Sequence, residues 1–125
     1  MTEYQPGACN IGATQRRARR LSGIGSFGIA AGIVVGVLFA VLPESALVAT
    51  APFVFGGWVG LVQDYAGFCV AFGALARYDL SGSGGSAGSV SDREAVRADR
   101  KRAVKILAVA AVLTAATTGS LMVVF

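Results

Sequence analysis

Two thiols and one carboxylate are the groups in this chain whose types and positions could do chemistry: Cys9, Cys69 and Asp64. A pair of thiols suits redox or sulfur chemistry, or ligation of a soft metal, once a thiolate can form. The neighbouring cations Arg16 and Arg17 would favour that thiolate. The alternative is a pair of small, unreactive side chains, which is how most buried cysteines behave. Two ligands without histidine are too few for a metal site within one chain. The lack of histidine also removes the commonest general base. No nucleophile elbow, phosphate loop, dinucleotide fingerprint or zinc-protease motif is present. The reading is therefore non-enzymatic, with no catalytic residue, metal or cofactor assigned.

The elements that must carry these groups are apolar. Of 125 residues, 54% are hydrophobic and only 14% charged, against about a quarter charged in a soluble domain. No charge occurs from Leu21 to Pro43, from Ser45 to Gln63, from Tyr65 to Ala76, or from Ile106 to Phe125. About 20 apolar helical residues cross a hydrocarbon core. The pattern predicts an all-α integral membrane protein with three transmembrane helices. The first runs from Leu21 to Leu42, the second lies within 45–76 and the third is 106–125. Arg16 to Arg20 ahead of an apolar run, with Ala49-Thr50-Ala51 beyond it, imitate a signal peptide. The run is longer than a signal core, and no soluble mature domain follows it.

Charge sets the expected orientation. All eleven basic residues precede the first run or lie between the second and third, and the short connection Pro43-Glu44-Ser45 carries no cation. The positive-inside rule then puts the N-terminus in the cytoplasm of a cell with an inner membrane, and Phe125 outside. The net charge of +4 is read as contact with anionic lipid headgroups rather than nucleic acid, for which no recognition motif is present. With this topology Cys9 and Cys69 share the cytoplasmic side, where a structural disulfide is disfavoured. Asp64 lies at the interface if the second helix starts near Ala46, which fits its length. A start near Pro52 would put it mid-bilayer, where an acid marks a transport path. Tyr65–Ala76 is then a membrane-surface or re-entrant segment.

Four segments follow: a polar N-terminal segment 1–20, a tight antiparallel helical hairpin with its interfacial segment 21–80, a flexible Gly/Ser linker 81–90, and 91–125. The last opens with a capping box at Ser91 and Glu94 and continues as an amphipathic cytoplasmic stalk into the third helix. Glu94–Arg97 and Asp99–Arg102 are spaced as surface pairs on that stalk. Gly28, Gly32 and Gly36 repeat every fourth residue in helix one, Gly56 and Gly60 in helix two, and Ala111, Ala115 and Gly119 in helix three. Such faces let helix backbones approach closely in lipid. They either pair helix one with helix two or join copies into a homo-oligomer or membrane complex.

Asn10-Ile11-Gly12, followed by Arg16, Arg19 and Gly23, resembles the opening motif of the YgaP-like transmembrane family. Gly67-Phe68-Cys69 followed by Phe72 is similar to the segment closing that family's second helix. The resemblance covers about residues 10–75 and departs at Gln15 and Val70, where the family has Asp and Pro. It implies a helical hairpin in a small inner-membrane protein of unknown function. Some members are fused to a sulfur-handling rhodanese domain, which draws attention to Cys69. No such domain is present here, so no sulfurtransferase activity is implied.

Overall fold

The computed structural model describes residues 4–82 and 84–125; Met1, Thr2, Glu3 and Ser83 lie outside the described residues. The first helix, α1, spans Ala13–Leu38. Its opening Ala, Gln and Arg residues are strong helix formers, so it takes in Arg16 to Arg20 and starts eight residues before the expected Leu21. It also ends four residues before the expected Leu42. Ala40 adopts a left-handed conformation, and the N–H groups of Val41 and Leu42 both donate to Gly36 O. That turn satisfies carbonyls at the helix end, and Pro43 biases Leu42 away from helix.

A 3-10 turn, Glu44–Ala49, feeds α2, Thr50–Ala66. A short helix α3, Val70–Ala74, follows, then strands β1 (Arg77–Asp79) and β2 (Ala87–Ser89), and finally α4, Arg93–Val124. The chain is mostly helical, and α1, Glu44–Ala66 and α4 are each long and apolar enough to cross a membrane.

Helices α1 and α2 touch in opposite senses: Arg16 meets Asp64, Gly23 meets Gly60, and Ser26 Oγ donates to Phe53 O. Helix α4 joins them through Trp58, whose indole N–H donates to Thr117 Oγ1 at 3.1 Å and whose ring stands edge-on to Phe27.

The remaining chain corrects the expected layout. The segment 81–90 is not a free linker, because its ends pair. β1 and β2 form an antiparallel ribbon, and the Leu80 and Val90 N–H groups donate to Ser86 O and Ala76 O. Gly82 and Gly84 take left-handed conformations that let the connection turn back. Asp92, not Ser91, caps α4 by accepting from the Glu94 N–H. The stalk is not solvated all round. Ala95, Asp99, Ala103 and Ile106 recur at helical spacing and are buried. Of the largest fully buried side chains, Phe68, Ile11, Leu80, Asn10, Asp99 and Cys69 all lie at the end where α1 and α4 begin. Phe68, Ala103 and Ile106 form its apolar centre, and full burial of a side chain like Phe68 contributes about 2 kcal/mol.

Candidate functional site

Asn10 is wholly buried at this basic end, and the end of α2 is shaped to receive it. Gly67 takes a left-handed conformation. The Gly67 N–H donates to Asp64 O, and the Phe68 N–H to Gln63 O, the two bonds of a Schellman cap. The Gln63 side chain accepts from the Val70 N–H at 2.7 Å, fixing the entry to α3. Into this bend the Asn10 side chain inserts: its Nδ2 donates to Cys69 O at 3.1 Å, and its Oδ1 accepts from the Cys69 N–H at 2.6 Å. The backbone of Asn10 donates to Gly67 O and accepts from the Asp79 N–H. One asparagine thus joins the N-terminal segment, the α2–α3 bend and the ribbon. Ile11 continues the join as a parallel bridge to Asp79. Gly12 must be glycine, because a Cβ there would lie 2.5 Å from Leu80 O.

Both cysteines are buried and free in this junction. Cys9 Sγ lies 3.6 Å from Ile11 O, and a Cβ at Gly67 would lie 3.7 Å from the same sulfur. Cys69 Sγ accepts from an Arg19 guanidinium N–H at 3.2 Å, and Arg19 also covers the Phe72 ring. The cation beside a thiol is therefore Arg19, not the expected Arg16 or Arg17. Arg16 is turned to the other acid. It donates to Asp64 O at 2.8 Å, and both Arg16 and Arg20 form ion pairs with the Asp64 carboxylate. Asp64 thus sits at the basic end of α2. Among the described residues, no group of three His, Cys, Asp or Glu could hold a metal.

A second polar joint lies on α4. The Asp99 carboxylate is fully buried and accepts from the Tyr4 hydroxyl and from the Gly7 N–H at 2.7 Å. Burial first, and the Asp99 hydrogen bond second, push the Tyr4 hydroxyl well above its ordinary pKa. Tyr4 also stacks on Tyr78. Among the described residues, neither expected pair on this helix forms as an ion pair. Asp99 faces the N-terminal segment, and Arg102 Nε is buried without a hydrogen-bond partner. Hydrogen bonds from the Ser81 side chain and then its backbone hold the Asp79 carboxyl below the usual range.

The packing glycines also shift from expectation. Close approach of α1 and α2 uses Gly23, Gly57 and Gly60; a Cβ on Gly60 would lie 2.6 Å from Arg19 O, and one on Gly23 2.9 Å from Gly57 O. Gly56 faces Ser26, whereas Gly36 faces only the Leu42 side chain. At Gly28 and Gly32 an added Cβ would meet nothing within 4 Å. The fourth-residue repeat in helix one is therefore not its face toward helix two. The helices cross nearer the basic end, where Phe27 fills the space over Gly57.

No family model, curated protein or solved structure matches the chain. The geometry stands by itself. It brings Asn10, Gly12, Arg19, Gly67, Phe68 and Cys69 into one junction, with Arg16 and Asp64 beside it. Sequence reading misses Asp99, Tyr4, Gln63 and Gly57. For Asp99 a signal exists, since it is the one acid on the small-residue face Ala95, Ala103 and Ala110 of α4. The nearby Arg102 diverts that reading toward a surface pair.

Proposed function

We propose that this chain is a non-enzymatic inner-membrane protein of three spans, acting as an oligomeric or accessory subunit of a membrane assembly. The observation that carries the reading is the uncovered small-residue face of α1, where Gly28 and Gly32 are exposed with no neighbour. A groove of about 590 Å³ between α2 and α4 adds to it. Ala111, Ala115 and Gly119 line that groove, and the Thr118 hydroxyl there is buried without a hydrogen-bond partner. Small faces and unpaired hydroxyls are what helix association in lipid uses. The cations gathered where α1 and α4 begin support an N-terminus in the cytoplasm and Phe125 outside, with the basic end against anionic headgroups. The pairing of Asp64 with Arg16 and Arg20 at that same end supports an interfacial acid rather than one in a transport path.

Gly32→Leu should abolish a detergent-stable oligomer in crosslinking and size-exclusion measurements. An unchanged oligomer would remove α1 from the interface. A reporter fused after Phe125 should be active only outside, and cytoplasmic activity would overturn the topology.

A second reading, a thiol-dependent component at the cytoplasmic face, is favoured by the Arg19 guanidinium beside Cys69. It requires that Cys9 and Cys69 oxidise to a disulfide or react with maleimide in membranes, and failure of both reactions ends it.

A further inference from the structure

Four arginines open α1, and they are not equivalent. Arg16 and Arg20 share the Asp64 carboxylate, and Arg17 is exposed. Arg19 is partly buried. Its partners are a thiol and a ring face, and among the described residues no carboxylate pairs with it. A guanidinium carries five N–H donors in a planar fork suited to paired oxygens of an anion, so most of its donor capacity is unspent. Arg19 borders a cavity of about 400 Å³ that Ser22, Gly56, Gly60, Cys69 and Ala71 also line. Glycines 56 and 60 add no side chain to the α2 wall, which Val59 and Gln63 complete. The cavity has Arg19 two residues before the uncharged stretch that starts at Leu21 and Ser22 just inside it. It therefore has a cation and a hydroxyl at one level and an apolar wall beginning beneath them. That is the profile of a headgroup-and-chain ligand or of a small tetrahedral anion.

We propose that this cavity binds a phosphate-bearing anion, its oxygens held by the Arg19 guanidinium, with the Ser22 hydroxyl as a further donor. The site combines a half-buried cation without a counter-charge, a neighbouring hydroxyl and space to admit a ligand. Asp64 does not neutralise it, because its carboxylate is engaged by the two flanking arginines. Arg–phosphate pairing is charge-assisted and bidentate, so lysine at this position should serve only in part.

The test uses the intact chain in phospholipid-free maltoside micelles. In one arm phosphatidylglycerol is added and bound lipid is counted by native mass spectrometry. In the other, binding of radiolabelled inorganic phosphate is followed by equilibrium dialysis. Loss of a charge-assisted contact predicts that Arg19→Gln lowers occupancy by about tenfold, that Arg19→Lys falls between, and that Arg17→Gln has no effect. Ala71→Glu, an exposed rim position, should repel the anion without touching the Cys69 contact, so a loss through misfolding is told apart. Arg19-dependent lipid retention assigns a lipid headgroup, and Arg19-dependent phosphate binding alone assigns the free anion. Binding in neither arm, or binding indifferent to Arg19→Gln and Ala71→Glu, overturns the proposal. The lipid arm rests on the membrane reading, but its failure leaves the reporter test of topology untouched.

Discussion

The two ends of the helices are built on different rules. At the basic end, Asn10, Gln63 and Asp99 are buried polar groups, each satisfied by backbone or side-chain partners, and glycines sit against backbone at close range. Along the apolar lengths, Ile29, Val35, Val109 and Val112 are exposed, and glycines 28 and 32 touch nothing. A buried amide has few acceptable partners, so the first kind of packing specifies one arrangement. Apolar side chains facing lipid specify little, because the surrounding tails are as apolar as they are. The basic end therefore fixes the relative placement of the segments, and the apolar lengths are left available to other surfaces.

That contrast can be broken by substitution. Asn10→Ala should have the largest effect, since it strands the buried Cys69 N–H and takes one of two donors from the Cys69 carbonyl, which keeps the Gly73 N–H. We expect about 3 kcal/mol of destabilisation, read from denaturant unfolding in micelles. A change below the usual scatter of surface substitutions would mean that water replaces the amide and the end is not dry.

Next, Gly60→Ala should cost about 2 kcal/mol by forcing α1 and α2 apart. Gly28→Ala should fall within about 0.5 kcal/mol of the parent, or stabilise the monomer slightly through helix propensity. Equal effects at the two glycines would erase the distinction between the regions.

Trp58→Phe keeps the edge-on ring against Phe27 and removes only the bond to Thr117, so the loss should be about 0.6 kcal/mol. The smallest effect concerns acid. Asp79 has a carboxyl pKa lowered in the folded chain, chiefly by Ser81. Its contribution is present above the ordinary carboxylate pKa of 3.8 and is lost as pH falls through the lowered folded value. Asp79→Asn should flatten that part of the stability profile below pH 3.8, and an unaltered acid limb would show that another carboxylate sets it.

Much of the helical layout is legible in the sequence, because an uncharged run long enough for lipid has few other uses. Its ends are less so. The positive φ at Ala40 that stops α1 early leaves no compositional mark. The linker is misread because Gly and Ser are equally at home in coil and in a ribbon turn. At the site, Asn10-Ile11-Gly12 and Gly67-Phe68-Cys69 stand out as strings, but nothing in their spacing says that an asparagine amide spans them. Asp99 is harder still, since its partners Tyr4 and Gly7 lie more than ninety positions away.

Helix α4 runs unbroken from Arg93 to Val124, a rod of about 48 Å at the usual helical rise. A rod transmits angle. A tilt of about ten degrees about its midpoint would carry Asp99 sideways by about 2.5 Å, more than a hydrogen bond tolerates. Spans tilt to match bilayer thickness, so a thinner or thicker bilayer acts as torque on the grip of Tyr4 and Gly7 upon Asp99. For an α4 that spans a bilayer, the N-terminal segment would be the end of a lever whose other arm lies among the lipid tails.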